Sequence, residues 1–207
     1  MRRAALLLGL GVLFGAWLLA AAGAGMTGHM AAHMAAVAVA APLVAYGIAA
    51  SRVDPAMRFP TVVTPLAMSL LELVVVWGWH LPAARAFAAS SPVGLVLEQA
   101  MFFVAGLLLW SACLGAREAA NSARRAVGVG ALLLTTMHMT LLGVLIALAP
   151  RPLFASHGQS LLGLDPLADQ QAAGVVMLLV GGGSYLLGGL LLLAGMLRSA
   201  PAKAARL

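Results

Sequence analysis

Residues 126–149 read AVGVGALLLTTMHMTLLGVLIALA, an unbroken apolar stretch with no Asp, Glu, Lys or Arg. A helix needs about 20 such residues to cross the roughly 30 Å hydrocarbon core of a bilayer. Backbone N–H and C=O groups in that layer must be paired internally, which leaves a helix as the single-segment solution. Five further runs, near 4–24, 29–50, 61–81, 93–115 and 168–197, have the same character. The last is longer than needed, which tilt or extension beyond the membrane accommodates. The chain is therefore expected to be an all-α integral membrane protein: one domain over residues 1–207, a bundle of about six transmembrane helices surrounded by lipid.

Composition agrees with that reading. The chain is 63% hydrophobic and only 9% charged, against roughly 25% charged in a soluble domain. The net charge of +6 would suggest nucleic acid in a soluble protein. Here the basic residues sit between the apolar runs, so no nucleic-acid partner is implied. Arg2, Arg3, Arg52, Arg58, Arg117, Arg124, Arg125, Arg198, Lys203 and Arg206 fall on one side of the expected membrane, and only Arg85 and Arg151 on the other. The positive-inside rule then places both termini in the cytoplasm (N-in, C-in), in a multi-pass protein of the cytoplasmic (inner) membrane. Arg2-Arg3, the apolar stretch and Ala20-Ala21-Ala22 also have the outline of a signal peptide; the length of the run favours a retained helix. The lone Cys113 allows no intramolecular disulfide.

With direction assigned, the polar residues fall into layers. The second run enters from the outer side with His29-Met30-Ala31-Ala32-His33-Met34. Residues four apart share a helix face, so both imidazoles point the same way. Met26, Met30 and Met34 make a neighbouring stripe. The third run leaves through Trp77-Gly78-Trp79-His80-Leu81-Pro82, the fourth begins near Glu98-Gln99, and the sixth opens with Asp165-Pro166-Leu167-Ala168-Asp169-Gln170-Gln171. Several of these have ordinary roles: tryptophans as interfacial anchors, Asp165 before Pro166 as an N-cap, Asp169 in the first turn. The paired histidines are harder to place in lipid and are expected to face the bundle interior. With His80 they make a candidate metal site, and thioethers nearby tilt the expected metal toward copper. Glu72 and His138 lie deeper, as an inner metal site, a proton path or a hydrogen-bonded interhelical pair. His157 lies in an outer loop. Gly181-Gly182-Gly183 and Gly188-Gly189 sit inside an apolar run, where close helix packing explains them.

His29-x-x-x-His33, Trp79-His80-Leu81-Pro82, Leu97-Glu98 and Asp165-Pro166-Leu167-x-Asp169-Gln170-Gln171, in that order, resemble the multi-span CtaG-type cytochrome c oxidase assembly factors, over residues 26 to 195. The resemblance implies a membrane protein that matures a haem–copper oxidase by handling copper at the outer face and delivering it to an oxidase subunit or a periplasmic copper carrier. His29, His33, His80, Asp165 and Asp169 match the family's polar positions and form the expected metal set. Three positions depart from the pattern: Gln99 for His, Phe154 for Tyr and Leu178 for Trp. No nucleophile–base–oxyanion arrangement is present, so no enzymatic activity is expected. A copper transporter and a haem-binding membrane electron carrier are the alternative functions.

Overall fold

The computed structural model describes residues 1–114, 122–154 and 158–204, and every regular element among them is helical. Among the described residues, five helices are long and apolar enough to cross a membrane: Arg2–Ala21, Gly25–Ile48, Pro92–Leu114, Ala123–Ala147 and Pro166–Arg198. Pro65–Trp79 and Pro82–Ser90 make a sixth crossing if taken together, as two helices bent by 72°. In chain order these are the first to sixth spans, the bent pair being the third. The chain is a multi-pass membrane protein.

The third span differs from the continuous helix expected over 61–81, for local reasons. Residues 59–64 form turns, and the helix starts at Pro65, whose fixed φ suits the first helical position. Its 15 residues cover only about 22 Å. It stops at His80 because Leu81 precedes a proline and is held extended, with φ −69° and ψ 138°. Pro82 then opens the short helix Pro82–Ser90, which turns away by 72° and packs on the fourth span.

The second, fourth, third, fifth and sixth spans pack in that order into a closed ring, with the sixth returning to the second. The first span lies outside the ring against the second. Glycines set that contact: a Cβ on Gly9 would lie 2.9 Å from Val44, and one on Gly47 would lie 2.7 Å from Leu6. Small residues allow this close approach where lipid gives helices no hydrophobic drive to associate. Phe102, Leu109, Trp110, Leu132, Met139, Met177 and Tyr185 fill the ring.

The two ends of the bundle differ in charge. At one end Arg2 donates to the carbonyl of Ala49 (3.0 Å) and Arg124 to that of Val63 (3.3 Å). Asp54 anchors the loop beside them. Its carboxylate accepts from the N–H groups of Ala56 (3.0 Å) and Ala50 (2.8 Å) and from the Ser111 hydroxyl. The opposite end carries His29, His80, Arg85 and Asp169. Arg117, His157 and Arg206 lie outside the described residues.

Two spans contain π-helical turns, Ala35–Ala40 in the second and Met177–Gly182 in the sixth. Wider turns release carbonyls from the ordinary ladder. Ser184 donates to Ala38 O at 2.6 Å, and the Tyr185 hydroxyl lies 3.3 Å from Val37 O. The same hydroxyl donates to Glu72 Oε1 on the third span. Glu72 is thus half of an interhelical pair, as one of its expected readings had it, but its partner is Tyr185 and not His138. Its second oxygen has no hydrogen-bond partner. Tyr185→Phe therefore leaves the whole carboxyl without a donor. Stability in detergent is expected to fall by about 1–3 kcal/mol, read as a lower unfolding midpoint, with the helix content of the folded protein unchanged.

Candidate metal centre

His29 and His33 lie one turn apart on the second span, their ring centroids 4.0 Å from each other. Both are buried, as their shared face requires. The fourth span supplies the third member. It starts at Pro92, and its second turn carries Glu98 inward, fully buried, against both imidazoles. Nε2 of His29 sits 3.3 Å from Oε1 of Glu98, and Nε2 of His33 sits 3.5 Å from Oε2. One ligand atom from each of the three residues falls within 4.8 Å of the others.

These atoms are close, yet among the described residues none of them makes a directed hydrogen bond. Burying such groups without directed hydrogen bonds costs about 1–3 kcal/mol each, offset in part by the ion-pair contacts of Glu98 with both imidazoles and Arg85. Two ligands held about 2.0–2.1 Å from one tetrahedral ion are roughly 3.3 Å apart. The His29–Glu98 and His33–Glu98 separations match that spacing. Two imidazole nitrogens and a carboxylate also form a donor set that suits divalent zinc or copper. The residues fit a metal ion, and they leave its remaining coordination positions open.

Aromatic packing holds the group on its inner side. Phe102, one turn deeper than Glu98, stacks under His33 with centroids 4.1 Å apart. His80 lies edge-on to the same phenyl ring at 6.0 Å and to His33 at 6.3 Å. His80 is not one of the three grouped ligands. Its Nδ1 donates to the carbonyl of Val76 at 2.7 Å, which fixes the tautomer and leaves Nε2 with a free lone pair. Metal-binding histidines commonly donate their other ring N–H to a carbonyl in this way.

The two aspartates expected in the metal set are placed elsewhere. Asp165 is exposed and caps the sixth span, its Oδ1 accepting from the N–H of Leu167 (3.0 Å) and Ala168 (3.1 Å). Asp169 is buried and caps the second span from a different helix. It accepts from the N–H of Met26 (2.6 Å) and Thr27 (3.4 Å) and from the hydroxyls of Thr27 and Ser160 (both 2.7 Å). These bonds already engage both of its carboxylate oxygens. Asp165→Ala is expected to cost about 1 kcal/mol of stability and to leave metal content per chain unchanged, as checked by elemental analysis of purified protein.

Glu98 was placed in the outer polar layer from sequence but not in the ligand set. Arg85, read only as a loop charge, also reaches this group, with its guanidinium 4.0 Å from Glu98 Oε2. His138 is buried with both ring nitrogens unpaired, away from the three ligands. Its neighbours diverge as helix geometry demands: Met137 is 69% exposed on the outside of the bundle, and Met139 is fully buried. Gln99, where the family pattern suggests His, is fully buried with its amide unpaired.

No curated protein and no solved structure matches the chain significantly. The family model described as cytochrome c oxidase caa3 assembly factor (Caa3_CtaG) matches residues 1–199, which takes in all six spans and the His29, His33 and Glu98 group. A match over nearly the whole length means that this chain belongs to the cytochrome c oxidase caa3 assembly factor family.

Proposed function

We propose that the protein holds copper transiently at the outer face of the cytoplasmic membrane and hands it to a haem–copper oxidase subunit, or to a copper carrier serving one, during oxidase assembly. The observation that carries this reading is the His29, His33 and Glu98 group: buried, at metal-ligand spacing, and without hydrogen bonds of its own. Three protein ligands with open positions suit an ion in transit, because an incoming ligand can attack before an old one leaves. His80, with a free Nε2 one ring away, is placed to take part in such an exchange.

Copper is favoured over zinc by the methionines on the same span. Met30 and Met34 are fully buried on the span that carries both histidines, and thioethers select Cu(I). The outer location follows from charge: most basic residues lie at the other end of the bundle, and the positive-inside rule puts that end in the cytoplasm. Delivery is favoured over passage because Phe102 closes the inner side of the group.

The test is genetic and spectroscopic. In cells lacking the protein, the oxidase is expected to carry its haem but little copper, and its activity to fall in proportion. The wild-type chain restores both. Purified wild-type protein that retains no copper, or a deletion strain whose oxidase is fully metallated, overturns the reading.

A further inference from the structure

Arg85 is the basic residue whose surroundings are least explained by topology. It sits on Pro82–Ser90, the short helix after the 72° bend. That helix packs mainly on the fourth span and only lightly on the rest of the third. Although the side chain is 13% exposed, its Nη1 has no hydrogen-bond partner among the described residues and lies 4.0 Å from Glu98 Oε2. The distance gives attraction without a hydrogen bond. Arg85 is therefore held near the carboxylate but not locked to it.

Two cavities open beside this residue, and Arg85 lines both. One runs between Phe154, Ser160 and Asp169, and the other reaches His29 past Ala88 and Leu95. The guanidinium thus stands between the outside and the three ligands, with room to move to either side. A cation arriving at His29, His33 and Glu98 meets it directly. The ion and the guanidinium seek the same carboxylate, and both are positive in a setting where water screens little.

We propose that Arg85 is an internal counter-ion for Glu98 that competes with the bound metal, so that loading displaces the guanidinium and its return favours release. This rests on the metal-binding reading above and adds a release device to it. With the site empty, Arg85 compensates a carboxylate that would otherwise be buried and unpaired. With the ion present, the carboxylate has a new partner and Arg85 moves into the adjoining cavity. A site with ligands alone would hold its ion tightly; a competing fixed charge weakens it into the range where transfer works.

The experiment titrates the purified full-length chain with Cu(I) against a chromophoric chelator, for wild type, Arg85→Gln, Arg85→Ala and Arg85→Lys. The neutral variants are expected to bind about 10- to 100-fold more tightly than wild type and to surrender copper to the chelator correspondingly more slowly. Arg85→Lys keeps the charge and is expected to stay within about threefold of wild type. A second readout separates this from a structural role. The metal-free neutral variants unfold at lower temperature than metal-free wild type, whereas the copper-loaded proteins unfold together. Copper binding by wild type with equal or weaker binding by both neutral variants overturns the inference and leaves the metal site standing. Wild type that binds no copper overturns both.

Discussion

Protein carrying His29→Ala and His33→Ala together is expected to purify without copper, under conditions in which the wild type retains about one ion per chain. Two of the three ligands are gone, and Glu98 alone cannot hold a soft cation against chelators, so affinity falls by more than about a thousandfold. The fold should survive. His33 is fully buried with both ring nitrogens unpaired, so removing it discards unpaired polar atoms along with volume. The cavity left above Phe102 and the polar burden removed act in opposite directions, and the metal-free midpoint is expected to move by less than about 2 kcal/mol equivalent. His80→Ala is the informative comparison. It leaves all three grouped ligands in place, and binding is expected to weaken by no more than about tenfold, while transfer to an acceptor slows. Unchanged copper content in the double variant, measured by elemental analysis on folded protein, would falsify the assignment.

Part of this site is legible in the sequence alone. The apolar runs located the spans because a bilayer sets a minimum length that few soluble segments meet. The paired histidines were visible because i, i+4 spacing fixes a shared face without tertiary information. Glu98 was harder. Its run is apolar on most sides, and nothing local says that residue 98, and not residue 99, turns toward the second span. Only the packing of the fourth span does so, and it buries both side chains in different surroundings.

The third span shows a different limit. Leu81-Pro82 marks a break from first principles, but a break does not say whether a loop or another helix follows. The segment Pro82–Ser90 is a helix bent by 72° from Pro65–Trp79 and packed on the fourth span, and that placement turns Arg85 from a loop charge into a neighbour of Glu98. The π turns at Ala35–Ala40 and Met177–Gly182 were likewise invisible. They lie in Ala- and Gly-rich stretches whose small side chains permit a wider turn without requiring one. Their register is settled by contacts such as Ser184 to Ala38 O and Tyr185 to Val37 O and Glu72.

Asp169 shows the same dependence on tertiary contacts, whereas the cap made by Asp165 is local, and Asp169→Ala is expected to be the most damaging single change at this end of the bundle. Ala24, the residue before the second span, has no side chain able to cap it, and Asp169 accepts from the first N–H groups in its place. The carboxylate also ties down Ser160 and Thr27. Gly25 makes this approach possible. Its φ of +67° suits glycine, and a Cβ there would sit 2.6 Å from Asp169 Oδ2. Losing these charge-assisted bonds is expected to cost about 3 kcal/mol and to fray the turn that leads into His29. Metal affinity then falls as a consequence of lost order, about tenfold. Gly25→Val should reproduce both effects by pushing the carboxylate away, although it leaves Asp169 itself intact. A ligand role for Asp169 makes a different prediction: Asp169→Ala would weaken metal binding while leaving the metal-free midpoint unchanged. Thermal unfolding of metal-free protein, measured for both variants in the same detergent, separates a cap from a ligand.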